Sequence, residues 1–474
     1  MGEVEGDGCL ILTFIICFIM DHFNSAELGL LDQYANQSNS SEELVSFYKK
    51  MHSLTGKAIK DLPVRKEDVD LRKLRQGAGQ GKGYKIKSYL WIKIFYTKIP
   101  EEWVFFNLTF INKSFELCLD FPRKDTNVAE LFSNCSKAKS IVQSPNNKAT
   151  LALTGKSEAD IISFIQAFIK KHISDIICLY NALKLQDIIR FLQNNYNIIL
   201  TGAPGTGKTH LARDVAAGMI GCNVKGLLNN DQFKFVQFHP SYDYTDFMEG
   251  LRPIHNNNNN TIVFERKDGV FKAFCEKAAS EEAQANNEKR NPKPYVFLID
   301  EINRGEISKI FGELFFSIDP GYRDLDERIP VDTQYQNLVN NGLFSNGFFV
   351  PSNVYVIGTM NDIDRSVESM DFAFRRRFAF YEVTNQDRQE SILLNCSFKD
   401  EAIKKMDNLN KAIEDDGFSS AYHIGVSYFM KIERYGGDWD SLWHHHLKGV
   451  LYEYLRGTPN ALDILNNWKK EYDK

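Results

Sequence analysis

The octapeptide GAPGTGKT occupies residues 202–209, between an apolar run, Asn197–Thr201, and a segment of helical pattern, His210–Ala217. It matches the pattern GxxxxGK[ST], which would arise by chance about 0.02 times in a chain of this length. Glycines let such a loop wrap closely, so that main-chain N–H groups and the start of the following helix face an anion. The sequence therefore predicts a phosphate-binding loop between a strand and a helix of an α/β sheet.

Two side chains of this loop have predicted chemical roles. Lys208 is expected to bridge the β- and γ-phosphates of a nucleoside triphosphate, and the hydroxyl of Thr209 to take a position on Mg²⁺. The alternative interpretation is a glycine turn that binds no ligand. The predicted nucleotide-binding residues are Gly202, Ala203, Pro204, Gly205, Thr206, Gly207, Lys208, Thr209 and His210.

A second apolar run, Tyr295–Glu301, ends in two adjacent carboxylates, those of Asp300 and Glu301. Such a run is typical of a buried parallel strand, which delivers its polar tip to the edge of the sheet where α/β proteins bind ligands. We expect Asp300 to hold Mg²⁺ through water, and Glu301 to orient and deprotonate the attacking water. This pattern alone is weak evidence, but it gains weight downstream of a phosphate-binding loop.

Further predicted catalytic groups follow in the chain. The apolar run Val354–Gly358 leads to Asn361, whose side chain is expected to hydrogen-bond the γ-phosphate or the attacking water. Arg375, Arg376 and Arg377 are consecutive, and in a ring of nucleoside triphosphatase subunits such a cluster reaches into the neighbouring site and stabilises charge in the transition state. The alternative for the arginines is a solvated basic surface.

The 474 residues predict an organisation in three parts. Residues 1–155 are expected to form an α+β N-terminal domain, residues 156–385 an α/β core of parallel strands and helices, and residues 386–474 a helical appendage. The first boundary follows a change from period-two strands to a period of about 3.6 residues, which begins near Ser157. Helical patterns dominate beyond the second boundary.

The chain as a whole is nearly balanced in charge. Its 57 basic residues against 62 acidic ones give a net charge of −5. Any nucleic-acid partner would therefore have to bind a local patch of basic residues. Between Gly56 and Pro100 there are 12 basic residues against 4 acidic ones, interleaved with aromatic residues. This pattern suits phosphate contact and base stacking, which predicts DNA binding. A solvated sheet face with outward lysines is the alternative.

The eight cysteines are scattered without a CxxC pair, which predicts reduced thiols and a cytoplasmic protein. The apolar segment Cys9–Met20 tests this prediction. At 12 residues it is shorter than the roughly 20 that cross a bilayer, and acidic residues precede it where an export signal carries Lys or Arg. We expect a buried helix and no membrane association, with membrane insertion or export as the alternative.

Together these motifs resemble an AAA+ ATPase domain and, more narrowly, the McrB family of modification-dependent restriction systems. The narrower resemblance depends on four longer strings, which are FHPSYDY at 238–244, IDEINRG at 299–305, GTMNDIDRS at 358–366 and IGVSYF at 424–429. Asp364 and Arg365 match the DRS of the family signature. Two departures, Asp362-Ile363 in place of Thr-Ala and Val426 in place of His, leave the choice between ATP and GTP open.

The resemblance covers about residues 180–457 and implies an AAA+ core with a C-terminal helical lid. It implies a homo-oligomeric ring, typically a hexamer, that hydrolyses ATP or GTP with Mg²⁺ and drives DNA translocation with a separate McrC-like nuclease. Its N-terminal domain would select DNA, often modified DNA. The alternatives are a MoxR-like or dynein-related remodeller of protein complexes, which would not be expected to carry the longer strings, and a nucleotide-gated DNA-binding scaffold. Glu301 and the arginine cluster argue against the scaffold.

Overall fold

The structure is a computed structural model. It describes residues 23–35, 42–69, 75–76, 85–97, 99, 102–122, 125–256, 261–339, 342–363 and 372–474. Contacts divide the chain into two units, Met1–Ala182 and Leu183–Lys474. The helix predicted within Cys9–Met20 lies outside the described residues. Among the helices that are described, none combines the length and the apolar character needed to cross a bilayer.

The first unit is an α+β domain, as predicted. Its elements are α1 (Ser25–Tyr34), α2 (Glu42–Ile59), β1 (Val64–Lys66), β2 (Arg75–Gln76), β3 (Lys85–Ile86), β4 (Leu90–Tyr96), β5 (Phe105–Ile111), β6 (Ser114–Asp120), α3 (Thr126–Asn134), α4 (Ser136–Val142), β7 (Lys148–Ala152) and the beginning of α5 (Glu158–Asn195). An antiparallel sheet has the order β1-β4-β5-β6-β7. Because side chains alternate along a strand, Leu90 and Ile92 are buried on one face while Trp91 and Lys93 are only partly covered.

Helix α5 passes from the first unit into the second. Its beginning packs within the first unit: the ring centroids of Phe168 and Phe106 are 6.2 Å apart, and the Gln166 side chain donates to the Ala58 carbonyl at 3.0 Å. The change of period near residue 155 therefore marks the start of this helix. The contacts divide the chain further on, after residue 182, because the first part of α5 completes the core of the first unit.

The second unit begins with a parallel sheet covered by helices on both faces. Its elements are β8 (Asn197–Thr201), α6 (Lys208–Ile220), β9 (Phe233–Gln237), α7 (Tyr244–Phe247), β10 (Glu249–Asn256), β11 (Thr261–Asp268), α8 (Val270–Glu288), β12 (Tyr295–Asp300), α9 (Ile307–Phe311), α10 (Leu314–Ser317), β13 (Val354–Thr359), α11 (Phe372–Arg375) and β14 (Ala379–Glu382). The strand order is β14-β8-β13-β12-β9, and every pairing is parallel. The carboxyl ends of β8, β12 and β13 therefore meet at one edge.

Strand β12 shows why these runs are apolar throughout. Val296 and Leu298 lie in the apolar cluster that contains α6, whereas Phe297 and Ile299 lie in the cluster that contains α8. A strand covered on both faces has no solvent-facing side, so only its end is free to carry polar groups. This constraint explains why the two carboxylates, those of Asp300 and Glu301, lie at the end of the strand.

A helical appendage follows the sheet, as predicted. Its helices are α12 (Asn385–Ile392), α13 (Lys399–Asp415), α14 (Val426–Phe429), α15 (Trp439–Leu442), α16 (Lys448–Tyr454) and α17 (Ala461–Asp473). They share an apolar core of their own, which includes Leu409, Trp443 and Trp468. This region is called the lid below.

Candidate active site

The phosphate-binding loop runs from the end of β8 to the start of α6 in a conformation that requires glycine. Gly202 has φ 133° and Gly207 has φ 92°, values that residues with a side chain rarely adopt. A Cβ atom on Gly202 would also lie 2.5 Å from the Val383 carbonyl oxygen. The loop predicted from the octapeptide is therefore formed. Larger residues in place of Gly202 or Gly207 would be strained.

Lys208 is directed into this loop and is only 6% exposed. Its Nζ donates to the carbonyl oxygens of Gly202 at 2.9 Å and of Ala203 at 2.8 Å. Burial lowers the pKa of its ammonium to about 8, and the nearby carboxylates of Asp362 and Glu301 oppose that shift. A desolvated ammonium at the base of a glycine loop is a suitable partner for a phosphate group.

Asp300, the last residue of β12, contacts both the phosphate-binding loop and the end of β13. Its Oδ1 accepts a hydrogen bond from the Thr209 hydroxyl at 2.7 Å and another from the buried Thr359 hydroxyl at 2.6 Å. A hydroxyl and a carboxylate in contact are oxygen ligands of the kind that Mg²⁺ prefers, so Thr209 and Asp300 fit the predicted ion. The sequence pattern does not single out Thr359. The only feature of the sequence that could have identified Thr359 is its position as the last residue of the buried strand beside β12.

Glu301 follows Asp300 in a strained backbone conformation. Its φ and ψ are 52° and 49°, in the left-handed region that is uncommon for residues other than glycine and often marks functional sites. Its N–H donates to the Thr359 hydroxyl at 3.2 Å, and its Oε1 accepts from Nδ2 of Asn361 at 2.9 Å. Arg304 Nε lies 3.3 Å from Oε2. The predicted acid and the predicted polar tip of β13 are thus in contact.

The three consecutive arginines lie in different environments. Arg377 is only 8% exposed, and its Nε lies 3.6 Å from Oδ2 of Asp319. Arg375 covers the ring of Phe380 at 5.1 Å from the centroid, at the surface. Arg376 is exposed. The side chain of Arg377 is therefore engaged within its own chain, whereas those of Arg375 and Arg376 face outward.

His210, the last residue of the predicted nucleotide-binding segment, is directed along α6. Its Nδ1 lies 3.2 Å from Oδ2 of Asp214, and this hydrogen bond raises the pKa of the imidazole. Arg388 of the lid lies 3.3 Å from the same carboxylate. His210 thus belongs to a contact between α6 and the lid. Asp364 and Arg365 lie outside the described residues.

A third carboxylate lies beside the loop. Asp362 lies beside Gly202 and Lys208, and desolvation raises the pKa of its carboxyl while Lys208 opposes the shift. The sequence identifies this residue only as a departure from the family signature, where threonine stands. The structure shows that the departure adds a negative charge near Lys208.

Comparisons with known proteins agree with this geometry. The family described as "AAA domain (dynein-related subfamily)" matches residues 197–378, and the family described as "McrB, alpha-helical lid domain" matches residues 401–463. The chain is 34% identical over 290 residues to the Type IV methyl-directed restriction enzyme EcoKMcrB subunit of Escherichia coli K12, covering 58% of this chain and 57% of that protein. It is 26% identical over 204 residues to the Type II restriction enzyme BsuMI component YdiS of Bacillus subtilis 168, covering 39% and 56%.

The first match falls on the strands and the loop that carry the polar groups described above, so residues 197–378 form an AAA domain with the phosphate-binding loop of P-loop nucleoside triphosphatases. The second match falls on the lid. Together with the 34% identity to the EcoKMcrB subunit, the two matches support an McrB-family AAA+ protein, in agreement with the sequence motifs. It spans somewhat more than half the length of the curated relatives that it matches.

Proposed function

We propose that this protein is the DNA-translocating motor subunit of an McrBC-like restriction system, which hydrolyses ATP or GTP and acts with a separate McrC-like nuclease. The supporting observation is the meeting of Thr209, Asp300, Glu301 and Asn361 at one edge of the sheet. The restriction-enzyme names of both relatives support the biological setting.

The residues around the loop have distinct proposed roles in nucleotide binding. The main-chain N–H groups of the loop bind the phosphates, and Lys208 supplies a positive charge to the β- and γ-phosphates. Thr209 and Asp300, already in contact at 2.7 Å, are the residues that would hold Mg²⁺. When bound, the ion neutralises charge that develops on the phosphate oxygens.

Glu301 is the proposed general base. It accepts the proton of the attacking water, and Asn361 holds one of its carboxylate oxygens at 2.9 Å. Because the backbone of Glu301 is left-handed, its side chain does not point in the direction that it would have if β12 continued through this residue. Asn361 therefore keeps the carboxylate oriented, and its second proposed role is to sense whether a phosphate is bound.

We further propose that the active site is completed by a neighbouring subunit in a ring, typically a hexamer. Arg375 and Arg376 are exposed, as groups that act on another chain must be. Arg377 is buried against Asp319, so its proposed role is to anchor this segment within its own subunit. The catalytic arginine that acts across the interface is therefore Arg376, with Arg375 beside it.

The first unit is proposed to recognise DNA, including modified DNA. Its partly exposed sheet face has an open cavity of about 420 Å³, lined by Tyr89, Trp91, Lys93, Phe105, Asn107, Asp120, Phe121 and Pro122. The rings of Tyr89 and Trp91 stack with centroids 5.8 Å apart, and Nζ of Lys87 lies 3.8 Å from the Trp91 centroid. Aromatic faces beside lysines suit base stacking combined with phosphate contact.

The test is turnover of ATP and of GTP by the full chain with Mg²⁺, with and without DNA and an McrC-like nuclease encoded by a neighbouring gene. We expect turnover that the nuclease subunit stimulates, and DNA cleavage only when both proteins and the nucleotide are present. A chain that stays monomeric and hydrolyses no nucleotide would contradict the proposal.

A remodeller of protein complexes is the second candidate, because the matching AAA family is described as dynein-related. The match of the lid to the McrB lid family favours the restriction system instead. The same assay separates the two, since a remodeller would hydrolyse nucleotide without any response to DNA or to the nuclease. A scaffold that no longer hydrolyses would bind nucleotide without turnover.

A further inference from the structure

The lid contacts the outer side of the phosphate-binding loop through main-chain hydrogen bonds. The N–H of Gly425 donates to the Pro204 carbonyl, and the N–H of Ser427 donates to the Gly205 carbonyl, both at 3.0 Å. A Cβ atom on Gly425 would lie 2.0 Å from the carbonyl carbon of Gly205. Residues 424–427, which lead into α14 and include its first two residues, are called the lid loop. They are therefore in direct contact with the backbone of the phosphate-binding loop.

This contact fixes the direction of the peptide groups that face the phosphates. In a trans peptide the carbonyl and the following N–H point in opposite directions. Since the lid loop holds the Pro204 carbonyl on the outer side, the N–H of Gly205 points inward. The next peptide is held likewise, and its N–H, that of Thr206, makes only a long 3.4 Å hydrogen bond to the Ala203 carbonyl. Inward N–H groups are the anion donors of such a loop.

Two buried asparagines hold the lid loop in turn. Asn385, at the start of α12, donates to the Ile424 carbonyl and accepts from the Val426 N–H, both at 3.0 Å. Asn410, on α13, donates to the same carbonyl at 3.2 Å and accepts from the Ile424 N–H at 2.7 Å. They are 8% and 6% exposed. Burying an amide is costly unless it is hydrogen-bonded, and here both ends of each amide are used on the lid loop.

We propose that Asn385 and Asn410 are positioning residues for nucleotide binding, which act by holding the lid loop against the carbonyls of Pro204 and Gly205. The hydrogen bonds of both amides go to the main chain of the lid loop. Since Asn385 and Asn410 come from different helices, a shift of α12 relative to α13 would disturb the lid loop and, through it, the phosphate-binding N–H groups. The inference rests on the proposed function, because it presupposes a triphosphate in the loop.

The first test is Asn410→Ala in the full chain, measured by equilibrium binding of a fluorescent nucleoside triphosphate with Mg²⁺. We expect affinity to fall about tenfold, because the Ile424 main chain loses two hydrogen bonds that orient the loop. We expect KM to rise more than kcat falls. The matched control is Asn408→Ala on the same helix, a partly exposed residue outside the lid-loop contact, which should bind with parental affinity.

The second test is Gly425→Ala, which leaves both asparagines in place. Gly425 has φ −77° and ψ 155°, a backbone conformation that alanine adopts freely, so the added methyl group acts only by pushing the lid loop away from Gly205. We expect a similar loss of affinity. Parental affinity in both variants would overturn the inference alone, even if Asn410→Ala unfolds at a lower temperature. A parent chain that binds no triphosphate would overturn the proposed function as well.

Discussion

The two sheets of this protein place their polar groups differently. In the parallel sheet the central strands are buried on both faces, so Asp300, Glu301 and Asn361 are confined to strand ends and the loops after them. In the antiparallel sheet one face is covered and the other carries Trp91 and Lys93 along the strand itself. The first arrangement concentrates chemistry in a few side chains, whereas the second spreads binding over a surface. Single substitutions should therefore have much larger effects in the second unit than in the first.

The largest effect is expected from Arg376→Ala. Turnover should fall about 10³-fold or more, because an arginine that stabilises transition-state charge from a neighbouring subunit has effects of that size. Mixing this variant with Glu301→Gln should restore part of the activity, since some interfaces of a mixed ring would combine an intact Glu301 with an intact arginine. The control is Arg456→Ala, an exposed arginine of the lid. Parental turnover in Arg376→Ala would contradict the shared site.

Glu301→Gln alone should lower turnover about 10²- to 10⁴-fold while nucleotide affinity stays within a few-fold of the parent, because the general base is lost and the phosphate-binding loop is not. Turnover and equilibrium binding are measured on the same preparation. Glu306→Gln, an exposed carboxylate five residues further on, is the control and should be unaffected. Unchanged turnover in Glu301→Gln would remove this residue from the mechanism.

Trp91→Ala tests the surface side of the comparison. DNA affinity should fall about tenfold to a hundredfold, the usual effect of one stacking residue, and should not be abolished. The measurement is fluorescence anisotropy of labelled DNA over a range of salt concentrations, which should also show a steep salt dependence for the parent. Tyr452→Ala, an exposed aromatic residue of the lid, is the control. Complete loss of DNA binding would mean that this sheet also concentrates its function in one side chain.

The smallest effect is expected from Asp362→Thr, which restores the threonine of the family signature. Nucleotide affinity at pH 7 should rise about threefold to tenfold, because one negative charge beside the triphosphate is removed. Equilibrium binding of ATP and of GTP measures the change, with Asp326→Asn at the surface as the control. Lower affinity would instead show that Asp362 contributes to binding through its contacts with Gly202 and Lys208.

The sequence predicts the parts of the active site that depend on local order. A buried apolar run and the polar residues after it are neighbours in the chain, so the tips of β12 and β13 can be placed without a structure. The roles of Asn385 and Asn410 depend on the lid loop, which neither adjoins in sequence. The three arginines cannot be told apart by sequence either, since the burial of Arg377 depends on Asp319 from a distant segment.

The left-handed backbone at Glu301 has a consequence for how activity can be lost. A glycine would adopt this conformation without strain, so Glu301→Gly should raise the melting temperature slightly while abolishing turnover, by relief of about 1 kcal/mol. Selection for thermal resistance alone would therefore favour inactive descendants. Descendants that nevertheless retain a carboxylate at this position would be evidence that hydrolysis itself is under selection.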